Sequence, residues 1–340
     1  VSLTSLAATI LLSTTLTTGV IDPAAGPPPA EPAAATAEPA PIEVSVLTYN
    51  VRGLPWPVAA GRAKALAAIG RELAEMRRQG RAPRIVLIQE GFGDVGPLVR
   101  QAGYRYWSSG PGRREKAGPS IDGFARVRFP ASGEGWGKLA SSGLHILSED
   151  PVTRVERIAF AHCAGFDCLA NKGAMLVNIA VPGIAGGLDV VNTHMNSRAA
   201  SRTPWPRSLM AHQLQTEELN RFVAGARTRG APLLVGGDFN VKNAPDRYYY
   251  RAGERPFVVV SEYCKATSAG CQSGSLLEAP EPWLASQDLQ AFAPGRTMTV
   301  RPTVLTKLFG EGQRLSDHDG LMVSYSLQAA AAIGRIAGLR

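Results

Sequence analysis

The chain has 340 residues, 45% of them hydrophobic and 19% charged, a balance that supports one large domain or two small ones with a buried core and excludes disorder throughout. The formal net charge is +8, and no Lys or Arg precedes Arg52, so the basic excess belongs wholly to the chain from Arg52 onward. A polyanion, a phosphate ester or an anionic membrane surface is its natural complement, although export alone can leave a protein basic.

Ser2 to Val20 form an apolar, hydroxyl-laced stretch, too short and too hydroxylated to span a membrane. It reads as the h-region of a signal peptide over residues 1–20, despite a first residue of Val and no positive n-region, and places the protein outside the cytoplasm, secreted or periplasmic. Pro23 to Pro41 make residues 21–42 an extended Pro/Ala-rich linker. The folded domain is expected over 43–328, with a C-terminal tail over 329–340.

Glu43 to Asn50 alternate Val44, Val46 and Thr48 against Ser45 and Leu47, which predicts a strand ending on Asn50. Pro57 opens a predicted helix with Leu66, Ile69, Leu73 and Met76 on one face, closed by Gly80. Ile85 to Ile88 are apolar throughout and read as a strand covered on both faces, delivering Gln89 and Glu90. Gly91 to Trp136, rich in Gly, Arg and aromatics, reads as long loops with short strands. Ser142 to Ser148, Ala174 to Val181 and Leu188 to Thr193 come next as strands, the last delivering His194. A second helix carries Met210, Leu214, Leu219, Phe222 and Val223.

Leu233 to Asn240 (LLVGGDFN) then reads as a buried strand presenting Asp238 and Asn240 at its carboxyl end, where open α/β sheets place their chemistry. The alternative is a turn in which both side chains only bond their own backbone. Beyond Tyr248-Tyr249-Tyr250 little is legible until Leu315 to Asp319, which precede a strand over Leu321 to Leu327. No repeat or internal linker interrupts the domain.

Four cysteines fall into two local pairs, Cys163/Cys168 and Cys264/Cys271. Disulfides are favoured over zinc, which would want tighter spacing and more histidines than the adjacent His162, with buried free thiols as the bland alternative.

Asn50, Glu90, His194, Asp238 with Asn240, and Asp317 with His318 thus stand at the ends or starts of five strands. Carboxylates, amides and histidines on one sheet edge suit a hard divalent cation, magnesium best. A phosphate ester bound there needs charge neutralisation, a base for attacking water and help for the leaving oxygen, all of which this set can supply.

Thr48-Tyr49-Asn50-Val51, Gln89-Glu90, Asn192-Thr193-His194, Gly237-Asp238-Phe239-Asn240 and Ser316-Asp317-His318 occur in the order characteristic of the endonuclease/exonuclease/phosphatase (DNase I-like) superfamily, which the chain resembles across most of residues 44 to 327. The resemblance implies a four-layer α/β sandwich, two packed mixed sheets flanked by helices, and hydrolysis of phosphoester bonds with Mg2+, or another divalent cation such as Mn2+ or Co2+. Within the superfamily, Phe160 to Gly165, Asp167-Cys168 and Asn171-Lys172-Gly173 are similar to the Cys/Gly-rich loop and Asn-Lys-Gly of bacterial neutral sphingomyelinases of the C type.

On that resemblance Glu90 is a metal ligand and Asn50 binds the metal or orients the phosphate. His318 is the general base, its tautomer held by Asp317 or another carboxylate. Asp238 orients the water, Asn240 donates to a phosphoryl oxygen, and His194 stabilises developing charge. Lys172 either anchors its strand through a salt bridge or donates near the phosphate. Asp288, in a poorly matching Gln287-to-Phe292 segment, fills a supporting role. Leu308 and Phe309 either touch membrane, as an apolar hairpin does in sphingomyelinases, or pack inward, and Trp205 edges the cleft or caps the core. His145, His162 and His212 have no motif support. The expected protein is a monomeric, exported phosphodiesterase releasing phosphocholine from a sphingomyelin-type membrane phospholipid. The alternatives are a nuclease or inositol-phosphate phosphatase, and a non-catalytic membrane- or partner-binding module.

Overall fold

The computed structural model describes residues 40–54, 58–121, 123–124, 128–267, 270–310 and 315–330. The signal peptide, nearly all of the linker, the Pro57 helix start and the tail past Ala330 lie outside the described residues.

The first sheet is built from β1 (Ile42–Asn50), β2 (Ile85–Gln89), β3 (Tyr106–Ser109), β4 (His145–Ser148), β11 (Met298–Leu308) and β12 (Gly320–Ala329), in the order β11-β12-β1-β2-β4-β3. The second comprises β5 (Val152–Ala159), β6 (Gly173–Ile179), β7 (Leu188–His194), β8 (Leu233–Asp238), β9 (Val258–Val259) and β10 (Asp288–Ala293), in the order β5-β6-β7-β8-β10-β9. Both sheets are mixed: β1 pairs in parallel with β2, and β7 with β8, amid antiparallel neighbours.

Period-two geometry sends alternate residues of β1 to opposite layers. Val44 and Val46 join Leu87, Ile146, Val177, Val190, Leu234 and Phe292 in the core between the sheets. Leu47 and Tyr49 face outward onto α1 (Arg62–Arg78) and α2 (Gly96–Ala102), against Leu66, Ile69, Leu73 and Met76 of α1. Beyond α3 (Arg198–Ser201), α4 (Trp205–Ala226) covers the second sheet, its Leu219 and Val223 packing on Leu176, Val191, Leu233 and Val235. The result is the expected four-layer sandwich. Every residue of β2, β6, β7, β8 and β10 is buried, which is why most of these strands read as continuous apolar runs.

Several local readings change. Helix α1 begins at Arg62 after Gly61, in the left-handed region. Two long strands that carry no clear sequence signal, β5 and β11, are half-exposed edges, and β11 carries Pro302 beside a register shift, a place only an edge strand tolerates. Met210 is exposed, because the buried side of α4 is largely polar: Arg207, Ser208, His212, Gln215, Thr216 and Glu218. Both cysteine pairs are disulfides, with Cα atoms 5.1 and 5.5 Å apart.

Candidate active site

The strands of the two sheets end together. Asn50, closing β1, donates from Nδ2 to Glu90 Oε1 at 3.0 Å and to Asp238 Oδ2 of the other sheet at 3.0 Å. Its Oδ1 accepts from the Arg52 N–H, so the amide is fixed from both ends. The two glycines before Asp238 make this approach possible. A Cβ on Gly236 would lie 2.6 Å from Leu87 Cδ1, and one on Gly237, at φ 152°, 2.1 Å from the Thr193 carbonyl oxygen. Glu90 (φ 55°) and Asn240 (φ 53°) both sit in the left-handed region. For Glu90 that conformation is costly, and the Gly53 N–H holds it through the Glu90 carbonyl.

Asp238 Oδ1 accepts the Asn240 N–H at 2.9 Å, so the turn geometry of the bland reading is present as well. Its other oxygen, Oδ2, is where the site converges: Asn50 at 3.0 Å, His194 Nε2 at 3.4 Å and His318 Nε2 at 3.9 Å. Asn240 Nδ2 donates to the Met195 carbonyl. Asp288 opens β10 directly opposite Asp238, and its Oδ2 lies 2.7 Å from His318 Nδ1.

His194 is 1% exposed, with the Lys172 ammonium donating to its Nε2 at 2.9 Å, which requires a neutral ring protonated on Nδ1. Burial, with Lys172 and His318 nearby, holds its pKa well below the ordinary value. Lys172 also donates to the Met195 carbonyl and pairs with buried Asp167 at 2.7 Å, so the salt-bridge reading of Lys172 describes its contacts, though the pair stands directly behind His194.

Burial raises the Glu90 carboxyl, with Lys172 and the Asn50 hydrogen bond opposing it. Asp238 is raised to about 6 by burial and then by Asp288, and burial raises Asp288 too. For His318, burial works downward, but the Asp288 hydrogen bond and the surrounding carboxylates lift it to about 10. The buried carboxylates of Asp238 and Asp288 and the partly exposed one of Glu90 thus crowd one small volume, and Asp288 Oδ1 is buried without a hydrogen-bond partner among the described residues. Donor atoms of Glu90, His194 and Asp238 lie within 4.8 Å of one another, as do those of Asp238, Asp288 and His318. An oxygen-rich set with excess negative charge fits a hard divalent cation.

Two readings that the sequence leaves open each take one of their alternatives. Asp317 does not touch the His318 ring. Half exposed, it pairs with Arg52 at 3.4 Å, and Asp288 takes the role of holding the imidazole. Leu308 and Phe309 pack inward, half-buried, with the Phe309 ring stacked on Tyr49 at 4.8 Å. Trp205 lies beneath the guanidinium groups of Arg198 and Arg247. His145, His162 and His212 bond Gly91, Glu218 and Phe239, as ordinary structural histidines do.

Sequence reading missed three supports. Gln89 donates to Asn192, whose amide donates to the Ile88 and His145 carbonyls, so two motif residues clamp the sheets together. Buried Arg247 holds the Asn196 and Asn240 carbonyls, and nothing in its local sequence marks it. Asp167, partner of Lys172, lay inside the Cys/Gly-rich loop and was legible only as part of that loop.

The chain is similar to several known proteins. A sphingomyelinase from Mycobacterium bovis and one from Mycobacterium tuberculosis are each 26% identical over 205 residues, 60% of this chain, which spans only 35% of their length. Sphingomyelinase C from Streptomyces griseocarneus shares the fold (TM-score 0.57, 19% identity, 83% of this chain and 99% of that one). So does a mutant Staphylococcus aureus beta toxin with bound magnesium ions (TM-score 0.57, 15% identity, 83% and 99%). A humanized D. rerio TDP2 is similar in fold to nearly the same degree (TM-score 0.55, 16% identity, 83% and 98%). Residues 47–306 match the Endonuclease/Exonuclease/phosphatase family, and the chain belongs to that family.

Proposed function

We propose that this protein is an exported, divalent-cation-dependent phosphodiesterase that hydrolyses a sphingomyelin-type phospholipid to phosphocholine and ceramide. The observation that carries the chemistry is the convergence on Asp238 Oδ2 of one amide and two imidazoles, with Glu90 and Asp288 beside them. The similarity to mycobacterial sphingomyelinases supports the substrate, and two disulfides support an oxidising compartment.

Glu90 and Asp238, braced by Asn50, would hold the cation, magnesium or a similar ion. When bound, it neutralises phosphoryl charge and offsets the carboxylates that keep His318 protonated. Asp288 accepts the His318 Nδ1–H, which leaves Nε2 to take the proton of an attacking water. Asp238 orients that water between itself and His318. Asn240 has a second amide proton to offer a phosphoryl oxygen. His194 holds the Lys172 ammonium at its Nε2, and the positive charge so placed stabilises the charge that develops as the leaving oxygen departs.

The test offers purified protein with magnesium, and with chelator as control, three substrates: sphingomyelin vesicles, a short DNA duplex and an inositol phosphate. Magnesium-dependent release of phosphocholine is expected. Turnover of DNA alone overturns the lipid substrate, and no turnover of any substrate by folded protein favours a binding module.

A further inference from the structure

Leu308 and Phe309 are half-buried, the latter against Tyr49, and an exposed apolar pair stands elsewhere, on the loop bonded to the residues just before Lys172. Trp136, which closes the Gly- and Arg-rich stretch, and Leu139 just after it are 59% and 62% exposed, and the catalytic account uses neither. Neither is loosely placed. The Trp136 ring packs edge-on against Phe166 at 6.0 Å, within the loop closed by the Cys163–Cys168 disulfide. The Leu139 N–H is bonded to the Leu169 carbonyl at 2.7 Å. A large aromatic and an aliphatic side chain held outward on a braced loop find no cover among the described residues.

The surrounding charge says what kind of surface covers them. Asn171 joins this tip to a basic turn: its N–H donates to the Ala140 and Ser141 carbonyls, and its side-chain amide to the carbonyls of Gly112 and Glu115. That turn carries Arg113, Arg114 and Lys116, all exposed. Arg202, also exposed, reaches over the Phe166 ring on which Trp136 rests. The nearby Glu134 is buried and spent on Arg207. Residue 172, next to Asn171, is the lysine behind His194, so the tip and the basic turn are joined to the candidate active site through two adjacent residues.

We infer that this surface, Trp136 and Leu139 with Arg113, Arg114 and Lys116, docks the enzyme on a bilayer carrying anionic phospholipid. An indole and an aliphatic chain partition into the headgroup boundary while flanking guanidinium and ammonium groups meet the negative surface. The inference deepens the lipid-hydrolase reading and rests on it for its purpose: docking brings the site to membrane phosphodiesters.

The experiment sediments the full chain with sphingomyelin-free vesicles of phosphatidylcholine, with and without roughly 30% phosphatidylglycerol, enough to give a negative surface. Wild-type protein is expected to bind the anionic vesicles, more weakly as salt rises. Trp136→Ala with Leu139→Ser should weaken binding by about tenfold or more. Arg113→Gln, Arg114→Gln and Lys116→Gln together should weaken it by about a hundredfold, roughly fivefold per charge. Both variants should hydrolyse the soluble diester bis(p-nitrophenyl) phosphate as wild type does. Wild type that ignores anionic vesicles, or variants that bind them undiminished, overturns the inference. Vesicle binding that depends on these residues, without sphingomyelin turnover, would uphold the docking surface and remove the proposed substrate.

Discussion

Replacing Asp288 with Asn tests the base assignment while leaving the shape of the site intact. Asp288 Oδ2 and His318 Nδ1 are 2.7 Å apart, and the two side chains are 5% and 11% exposed. Burial by itself depresses the imidazole pKa, yet the net value is about 10 rather than 6.5, and the Asp288 hydrogen bond is the largest upward cause. The hydrogen bond and the charge of Asp288 both favour the protonated ring that forms as His318 accepts a proton. Asn keeps a hydrogen-bonding group but loses the charge, and by donating to Nδ1 it can also force the proton onto Nε2, where the base must be free. The expected result is a kcat lower by about 10³, or about 4 kcal/mol in barrier, with KM changed less than about threefold. Steady-state hydrolysis of sphingomyelin vesicles at saturating magnesium measures it, with circular dichroism to verify folding. Combination with His318→Ala should add little to the loss of either variant alone, since the two act as a unit. A kcat loss under about tenfold, or an effect confined to KM, would refute the pairing as a catalytic device.

The same contacts lead to three further outcomes. By NMR, the His318 ring should stay protonated through neutral pH in chelator and titrate lower with magnesium, because a cation among Glu90, Asp238 and Asp288 opposes the carboxylate charge that raises it; an unchanged titration places the cation elsewhere. Lys172→Met should cost about 3–5 kcal/mol in urea unfolding, since it strands the buried Asp167 carboxylate; a cost under about 1 kcal/mol refutes that. Buried His212, whose Nε2 donates to the Phe239 carbonyl, is pushed down to about 3 by burial first and by Arg247 next. A depressed folded value means the unfolded chain binds the extra proton between pH 6.5 and 3, so stability falls as pH drops through that window, by about 1.4 kcal/mol per unit. His212→Gln should remove that share of the slope, and an identical pH dependence of unfolding excludes His212 as its source.

The legibility of each element in the sequence tracks its burial. Ile85 to Ile88, Leu188 to His194 and Leu233 to Asp238 are covered on both faces, so their apolar runs stand out and the polar residues that close them mark the site. Strands β5 and β11 lie at sheet edges, half solvated, and their mixed composition gives no such contrast. The harder cases are partnerships. Adjacency in sequence favours Asp317 as the support for His318, but neighbouring residues in an extended or bent segment diverge: Asp317 turns to Arg52 while His318 turns to the opposite sheet. Its actual partner opens β10, which lies antiparallel to β8 with Asp288 facing Asp238, and only that register brings the second carboxylate to the imidazole. Gly236 shows the same dependence. In sequence it reads as punctuation, whereas in the fold it is the place where Leu87 of one sheet comes within a methyl group's reach of the other. The catalytic proposal therefore requires a small residue there, because the distance from Asn50 to Asp238 is set by how closely the two sheets pack.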